Sequence, residues 1–185
     1  MEILKYKKKP VVIEAIQLKE TNKLMSIIAK QAFEDIKNYF ESKQSILGVI
    51  NIENNKKYQE KDIDGIMVFD TNGYIDLSTF EIKADRWYKT GNYFFEIISN
   101  SNTNSLGCFL YTEADYIFYY FLEEKELHIL PMPQTRDWFI ENQHRFEEKQ
   151  TATKINNTIA YYSIGKLVPR KVLQNEVNNI KILKI

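Results

Sequence analysis

The chain is poor in cysteine, in long apolar runs and in net charge. Its single cysteine, Cys108, excludes an intrachain disulfide and a cysteine-rich metal cluster, favours a reducing compartment, and is expected to pack in the core. No apolar run approaches the roughly 20 residues that span a bilayer. The lysine-rich N-terminus is followed by too short an apolar segment for a signal peptide. We therefore expect a cytoplasmic protein with no membrane partner.

The charges balance, because 25 basic residues accompany 25 acidic ones. A nucleic-acid partner would thus have to bind a local basic patch and not a global positive field. Several catalytic motifs are also missing, namely a glycine-rich phosphate loop, a dinucleotide fingerprint, a His-Glu-x-x-His zinc motif and a nucleophile elbow. These absences leave an ATPase, a dehydrogenase, a zinc protease and a serine hydrolase without support.

What the chain does contain is a strong hairpin signal at Asn72-Gly73. A two-residue type I′ turn needs positive φ at both positions, which these residues tolerate. The turn fixes a register in which Thr71 faces Tyr74 and Gly65 faces Phe80. A slip by a β-bulge is the alternative to this register. One face of the hairpin is apolar and is expected to face the core, through Ile63, Met67, Phe69, Phe80, Ile82 and Ala84.

The other face of the predicted hairpin is charged. The register sets Asp64 opposite Glu81 and Asp62 opposite Lys83, so all four side chains would share one surface. Directly opposed carboxylates destabilise a sheet, and a divalent cation with hard oxygen preferences would offset that repulsion. The register favours Asp64 over Asp62 as the metal ligand.

Asp64 and the tripeptide Glu81-Ile82-Lys83 form a D…ExK pattern. Mg²⁺ held by the two carboxylates would lower the pKa of a bound water, and Lys83 would orient that water and stabilise the developing phosphorane charge. The predicted reaction is phosphodiester hydrolysis. An ordinary charged ladder on a surface hairpin is the alternative interpretation of the same residues.

Three longer runs extend the pattern, namely QEKDIDGIMVF, FEIKADRWYKTGNYFFEI and SLGCFLYTEADYIFYYF. In order and spacing they resemble the PD-(D/E)XK nuclease superfamily, in particular its small phage and prophage members. The later segments RDWFIEN and KLVPRKVL extend the resemblance over about residues 31 to 175. It implies a metal-dependent nuclease acting in a bacterial or phage-infected cell. No proline precedes Asp64, which departs from the superfamily's name.

The fold class we predict is α/β, with a mixed α+β sheet flanked by helices around a restriction-endonuclease-like core. At 185 residues the chain is expected to form one domain. We divide residues 1–185 into an N-terminal arm or edge strand (1–20), a core (21–150) and a C-terminal extension (151–185).

Local patterns predict several further elements. A helix is expected to begin at Thr21 or Asn22 and to run to Phe40, and a short strand is expected at 46–52. The motif Thr112-Glu113-Ala114-Asp115 has the form of an N-cap that opens a short helix. The apolar runs YIFYYFL and LHILPM predict a second hairpin. A helix from Gln134 or Thr135 follows, and the tail is expected to form a strand, a helix and a last strand.

Further candidate residues surround the predicted site. Three acidic residues could add metal ligands: Asp62, Glu34 and Glu96. Four basic residues could hold a phosphodiester backbone: Arg86, Lys89, Arg136 and Arg145. Trp87 could stack on a base or pack in the core.

The sequence allows more than one hypothesis for the substrate, the metal and the activity. DNA is the predicted substrate and RNA the alternative, and Mn²⁺ could replace Mg²⁺. A homodimer is expected from the density of aromatic residues and from the need for one site per strand. The competing functional hypothesis is a non-catalytic nucleic-acid-binding or phage accessory module on a nuclease-like fold.

Overall fold

The structure, a computed structural model, describes residues 27–155 and 158–185. The predicted N-terminal arm or edge strand and the predicted helix start at Thr21 or Asn22 lie outside these residues. Helix α1 occupies residues 27–41 of the described part and buries Ala32, Phe33 and Ile36. Their spacing of four and three places them on one side of the helix, as the sequence predicts.

The rest of the described chain consists of short strands and short helices. The strands are β1 (Ile46–Asn51), β2 (Gly65–Thr71), β3 (Tyr74–Asp85), β4 (Asn92–Asn100), β5 (Ser105–Leu106), β6 (Tyr116–Phe121), β7 (Glu126–Pro131), β8 (Glu148–Ile155), β9 (Thr158–Pro169) and β10 (Lys181–Lys184). The helices after α1 are α2 (Lys56–Gln59), α3 (Cys108–Tyr111), α4 (Gln134–Asn142) and α5 (Arg170–Glu176). Single 3₁₀ turns span Tyr88–Thr90 and Gln143–Arg145.

The strands form two sheets. A six-stranded sheet has the order β1-β2-β3-β6-β7-β10, in which β3 and β6 are parallel and the other neighbours are antiparallel. A four-stranded antiparallel sheet has the order β5-β4-β9-β8. The fold is therefore a mixed α+β architecture with helices flanking a mixed sheet, which confirms that part of the predicted fold class. The predicted C-terminal extension enters both sheets, through β9 and β10.

The six-stranded sheet is covered on both faces. Its helix face, which carries Phe80, Phe118 and Leu127, packs under α1. Its sandwich face, which carries Ile117, Tyr119 and Leu130, packs against the four-stranded sheet and helices α3, α4 and α5. Because strand side chains alternate, Phe80 and Ile82 belong to the helix face, while Glu81 and Lys83 point to the sandwich face. The charged face of β3 is thus directed into the interior between two sheets.

The β2–β3 hairpin has the predicted register. Thr71 pairs with Tyr74 and Gly65 pairs with Phe80, and both Asn72 and Gly73 have positive φ. The pairing ends at Gly65, so neither predicted charged pair, Asp64–Glu81 nor Asp62–Lys83, is part of the ladder. The chain turns at Asp62, which has a φ of 53°, and the backbone N–H of Asp64 donates to the carbonyl of Phe80. The prediction extended the ladder too far because a local turn at Asp62 precedes strand β2, which begins only at Gly65.

The segment Thr112-Glu113-Ala114-Asp115 does not open a helix, and that prediction was wrong. Helix α3 ends before it, at Tyr111, and β6 begins directly after it. The Thr112 hydroxyl donates to the carbonyl of Asp62 and accepts from the N–H of Ala114. The Asp115 carboxylate accepts from the N–H and the hydroxyl of Thr79 on β3. These polar side chains therefore join β6 to the hairpin instead of capping a helix.

The second predicted hairpin and the predicted tail are confirmed. Strands β6 and β7 pair from Tyr116–Pro131 to Phe121–Glu126, and α5 begins after Pro169 as expected. The dense aromatic residues of β6 are almost fully buried inside this one chain. Within the described residues, no helix is long and apolar enough to cross a membrane.

Gly65 allows the close approach of the Phe80 ring. A Cβ atom at residue 65 would lie 2.2 Å from the Cζ atom of Phe80, whose ring is 1% exposed and stacks on Phe118 at 4.5 Å. We expect Gly65→Ala to lower the free energy of unfolding by about 1–3 kcal/mol through overpacking, measured by urea denaturation. Gly48→Ala is the matched control, because a Cβ atom there meets nothing within 4 Å. Equal losses in the two variants would contradict this explanation.

Candidate metal centre

The candidate site lies where strands β2 and β3 separate. β2 begins at Gly65, whereas β3 continues to Asp85, so residues 81–85 of β3 extend past the end of their antiparallel partner. The Asp64 side chain lies in this gap, and its Oδ2 atom accepts a hydrogen bond of 2.9 Å from the backbone N–H of Ile82. That bond fixes the Asp64 carboxylate beside the Glu81-Ile82-Lys83 tripeptide.

Glu81 is the buried acid of the site. Its side chain is 6% exposed, and its Oε1 atom lies 3.6 Å from the ammonium of Lys83. Its Oε2 atom is buried and has no hydrogen-bond partner among the described residues. A buried carboxylate oxygen without a partner is costly, so this atom fits a cation that the chain itself does not supply.

Asp62 and Cys108 complete the cluster. Ligand atoms of Asp62, Glu81 and Cys108 all lie within 4.8 Å of one another. The Oδ2 atom of Asp62 is also buried and, in the described part of the chain, accepts no hydrogen bond. Cys108 is buried as predicted, but it lies beside charged groups and not only among apolar ones. The sequence did not predict this position of Cys108, because a single cysteine after a polar loop forms no metal-binding motif with neighbouring residues.

Burial or neighbouring charges raise the pKa of each of four groups in the cluster: Asp62, Glu81, Lys83 and Cys108. Burial raises the pKa of Glu81 well above its usual value, although the nearby Lys83 opposes the shift. Burial also raises the pKa of Asp62 and of the Cys108 thiol, again against Lys83. Burial by itself would lower the pKa of Lys83, but Cys108, Glu81 and Asp62 raise it overall. Lys83 is therefore a cation at neutral pH and cannot act as a general base.

Two cavities share lining residues at the open edge of β3, namely Lys83 and Ala84. The larger, of about 910 Å³, is lined by Lys83, Arg86, Trp87, Asn92, Lys149 and Thr151 among others. The smaller, of about 230 Å³, is lined by Asp64 and Lys83 together with residues of α1. Lys83 lines both, so it marks the point where the cluster opens to the outside. Trp87 lines the larger cavity and is 66% exposed, so it does not pack in the core.

The structure separates two predicted acidic ligands from this cluster. Glu34 is an exposed residue of α1, the helix that covers the helix face of the sheet, opposite the face to which Glu81 points. Glu96 lies on β4, where its neighbours Tyr93 and Phe95 point to the six-stranded sheet. Alternation directs Glu96 to the other side of the four-stranded sheet. Neither residue is brought to Glu81.

The predicted basic residues divide into two groups. Arg86 and Lys89 are exposed near the open edge, and Arg86 lies 5.7 Å from the Trp87 ring centre. Arg136 and Arg145 instead have partners within the chain. Arg136 donates to the carbonyl of Thr112, and Arg145 forms a two-pronged ion pair with Glu176.

Comparisons with protein-family models, with curated proteins and with solved structures each return no match for this chain. The site must therefore be interpreted from its own chemistry. It combines three carboxylates, one thiol and one lysine at an accessible strand edge, and two of the carboxylate oxygens lack a partner among the described residues. Such a set can hold a divalent cation, and the lysine can stabilise a nearby anion.

Proposed function

We propose that this protein is a Mg²⁺-dependent endonuclease that hydrolyses phosphodiester bonds in DNA. The observation that carries the proposal is the arrangement at the open edge of β3. There Asp64 is anchored to the backbone of Ile82, Glu81 has an unpartnered oxygen within the described part of the chain, and the Lys83 ammonium lies 3.6 Å from Glu81. The mixed sheet around this edge is compatible with a restriction-endonuclease-like core, which is part of the same proposal.

Asp64 and Glu81 are the residues that would hold Mg²⁺, or Mn²⁺ in its place. Both offer hard carboxylate oxygens, which these cations prefer. The unpartnered Oε2 atom of Glu81 supports this assignment, because a cation would satisfy it. When bound, the metal supplies Lewis acidity that lowers the pKa of a water and stabilises negative charge on the phosphoryl oxygens.

Lys83 supplies a fixed positive charge beside the metal ligands. Its raised pKa keeps the ammonium protonated at neutral pH, so it donates hydrogen bonds and does not remove a proton. An ammonium at the mouth of two cavities can orient the attacking water and stabilise the charge that develops on the phosphorane.

The outer wall of the larger cavity offers contacts for a nucleic-acid strand. Arg86, which lines this cavity, and the nearby exposed Lys89 can bind phosphates, and the exposed Trp87 can stack on a base. Arg136 and Arg145 are not part of this surface, since their guanidinium groups have partners within the chain. Cutting both strands of a duplex needs two such sites, and a homodimer is therefore retained as a prediction.

Metal removal is the direct test of the proposal. Purified protein is incubated with linear, circular, branched and single-stranded DNA and with RNA, each in Mg²⁺, in Mn²⁺ and in EDTA. We expect cleavage of DNA in either metal and none in EDTA, because chelation removes the Lewis acid on which the proposed reaction depends. Cleavage of RNA only would move the substrate class to a ribonuclease. Cleavage that persists in EDTA would overturn the metal mechanism.

One observation favours a second candidate, a non-catalytic binding module on the same fold. Burial raises the pKa of Glu81, and a protonated Glu81 needs no metal to be stable. Calorimetric titration with Mg²⁺ and Mn²⁺ separates the two candidates. The nuclease requires millimolar or tighter binding that Glu81→Gln weakens, whereas the binding module requires no metal affinity.

A further inference from the structure

The acidic cluster contains a thiol that the proposed nuclease mechanism does not use. Cys108 begins helix α3, is 6% exposed, and offers its sulfur atom to the same space as Asp62 and Glu81. Thiolates are soft ligands that select Zn²⁺, Co²⁺ or Cd²⁺, whereas Mg²⁺ prefers oxygen ligands only. The cluster therefore contains two overlapping ligand sets of different chemistry.

We propose that Asp62, Glu81 and Cys108 form a site for a thiophilic divalent cation, with Zn²⁺ as the natural occupant. This set differs from the Mg²⁺ ligands Asp64 and Glu81 but shares Glu81 with them. Because one carboxylate serves both sets, Zn²⁺ binding removes a ligand from Mg²⁺. The thiol thereby makes the site responsive to zinc.

The unpartnered oxygens are what distinguish this cluster from an ordinary group of buried acids. Glu81 Oε2 and Asp62 Oδ2 are both buried, and neither finds a hydrogen-bond donor in the described parts of the chain. Both residues belong to the group whose ligand atoms lie within 4.8 Å of one another. One oxygen of each acid and the sulfur atom therefore lie in one small volume, and each of the two acids also carries an unpartnered oxygen.

The spacing of the three ligands is compatible with a zinc site after a small contraction. Zinc bonds of about 2.3 Å to sulfur and 2.0–2.2 Å to oxygen place ligand atoms roughly 3.5 Å apart. The ligand atoms of Asp62, Glu81 and Cys108 all lie within 4.8 Å of one another, so a bound cation would draw them closer together. Three protein ligands leave a fourth position for water, as in zinc sites that remain open.

A divalent cation would offset most of the negative charge of the cluster. Two carboxylates and one thiolate would carry three negative charges, and Lys83, 3.6 Å from Glu81, carries one positive charge. The neighbouring Asp64 adds a further carboxylate, so a divalent cation reduces the charge of the site and lowers the cost of burying it. Binding releases the thiol proton and any carboxyl proton to solvent.

Cobalt substitution tests the site without any assay of cleavage. Cys108 is the only cysteine in the chain, so a thiolate-to-cobalt charge-transfer band can arise from no other residue. We titrate reduced, tag-free, full-length protein with Co²⁺ and then add Zn²⁺. We expect a band that saturates at one equivalent and disappears as Zn²⁺ displaces Co²⁺.

Variants assign the band to the three residues. Cys108→Ser is expected to remove it, and Asp62→Asn, which keeps the thiol, is expected to weaken Co²⁺ affinity about tenfold or more. Glu113→Gln is the control, because this exposed acid pairs with Lys61 outside the cluster. If Cys108→Ser fails to fold, the Co²⁺ affinity of Asp62→Asn still tests the proposed site. A wild-type protein without the band in a large excess of Co²⁺ would overturn the proposal, as would equal affinity in Asp62→Asn and wild type.

The inhibitory role rests on the proposed nuclease function, and a separate experiment addresses it. Cleavage in constant Mg²⁺ is measured against rising Zn²⁺, and each protein is normalised to its own rate without zinc. We expect the half-inhibiting Zn²⁺ concentration to rise about tenfold or more in Cys108→Ser. If the cobalt band appears but no cleavage is found, the zinc site is supported and the nuclease is rejected. If cleavage is found but the cobalt band does not appear, the nuclease is supported and the zinc site is rejected.

Discussion

Glu81→Gln is expected to abolish metal-dependent cleavage while nucleic-acid binding persists. The substitution preserves the shape of the side chain but removes the charge that would hold Mg²⁺ beside Lys83. A metal ion contributes several kcal/mol to a phosphoryl-transfer transition state, which corresponds to about 10³-fold or more in rate. The measurement is single-turnover cleavage of the substrate that the wild-type protein cuts best. Binding is followed by fluorescence anisotropy in the same buffer.

Glu96→Gln is the matched control for this experiment. It makes the same chemical change at a second acid of the sequence motif, which lies on β4 and does not belong to the group formed by Asp62, Glu81 and Cys108. We expect its cleavage rate to stay within about twofold of wild type. A wild-type rate in Glu81→Gln would reject the catalytic assignment. An equal loss in Glu96→Gln would reject the placement of the site.

A loss of activity in Glu81→Gln should not come from unfolding. The raised pKa of Glu81 means that the metal-free folded state holds this proton more tightly than the unfolded chain does. The folded protein therefore loses stability as the pH rises above about 4.5, the usual value for glutamic acid, towards the raised pKa. Glutamine mimics the protonated form and escapes this cost. We expect the thermal midpoint of Glu81→Gln to match or exceed that of wild type at pH 8 in EDTA.

Glu126→Ala is expected to cause the largest loss of stability. The Glu126 carboxylate is 11% exposed and accepts from His128 Nε2 at 2.8 Å. It also lies 3.2 Å from the ammonium of Lys184 and 3.8 Å from the guanidinium of Arg170. Its removal leaves the charge of Arg170, which is only 14% exposed, without this partner. Removing one partner of a buried charge pair costs about 3–5 kcal/mol.

The control for Glu126→Ala is an exposed ion pair. Glu148 is 49% exposed and lies 3.3 Å from Lys166, so Glu148→Ala should cost about 0–1 kcal/mol. Both free energies of unfolding are measured by urea denaturation at pH 7, and both variants are fitted with the same dependence of free energy on urea concentration. A loss below about 1 kcal/mol in Glu126→Ala would mean that solvent takes over the role of the carboxylate.

The same network makes stability depend on pH. Burial would raise the pKa of Glu126, but bonds from His128, Lys184 and Tyr88 lower it overall. Burial lowers the pKa of His128, although Glu126 opposes this shift. Both groups bind protons more tightly in the unfolded chain, so stability should fall as the pH drops below about 6.5, first through His128 and then, below about 4.5, through Glu126. Glu126→Ala should flatten the lower part of this decline.

Local patterns in the sequence were sufficient to predict several parts of the fold. The Asn72-Gly73 turn set the register of the hairpin from Gly65 to Phe80, because a two-residue loop permits few pairings. Alternation placed Glu81 and Lys83 on one face of β3 and Phe80 on the other. The spacing of apolar residues predicted the described part of α1. Each of these predictions depends only on residues that are near neighbours along the chain.

Only the tertiary structure decided which distant side chains meet. Cys108 reaches Glu81 because α3 packs on the sandwich face of the sheet, and no local pattern specifies that packing. Arg145 is neutralised by Glu176, 31 positions later, so its charge could not be assigned to a partner from the sequence. The burial of Glu81 likewise depends on a layer built from other segments. Local propensity and periodicity therefore determine the strands and their faces, whereas the burial and the charge partners of a residue depend on the whole fold.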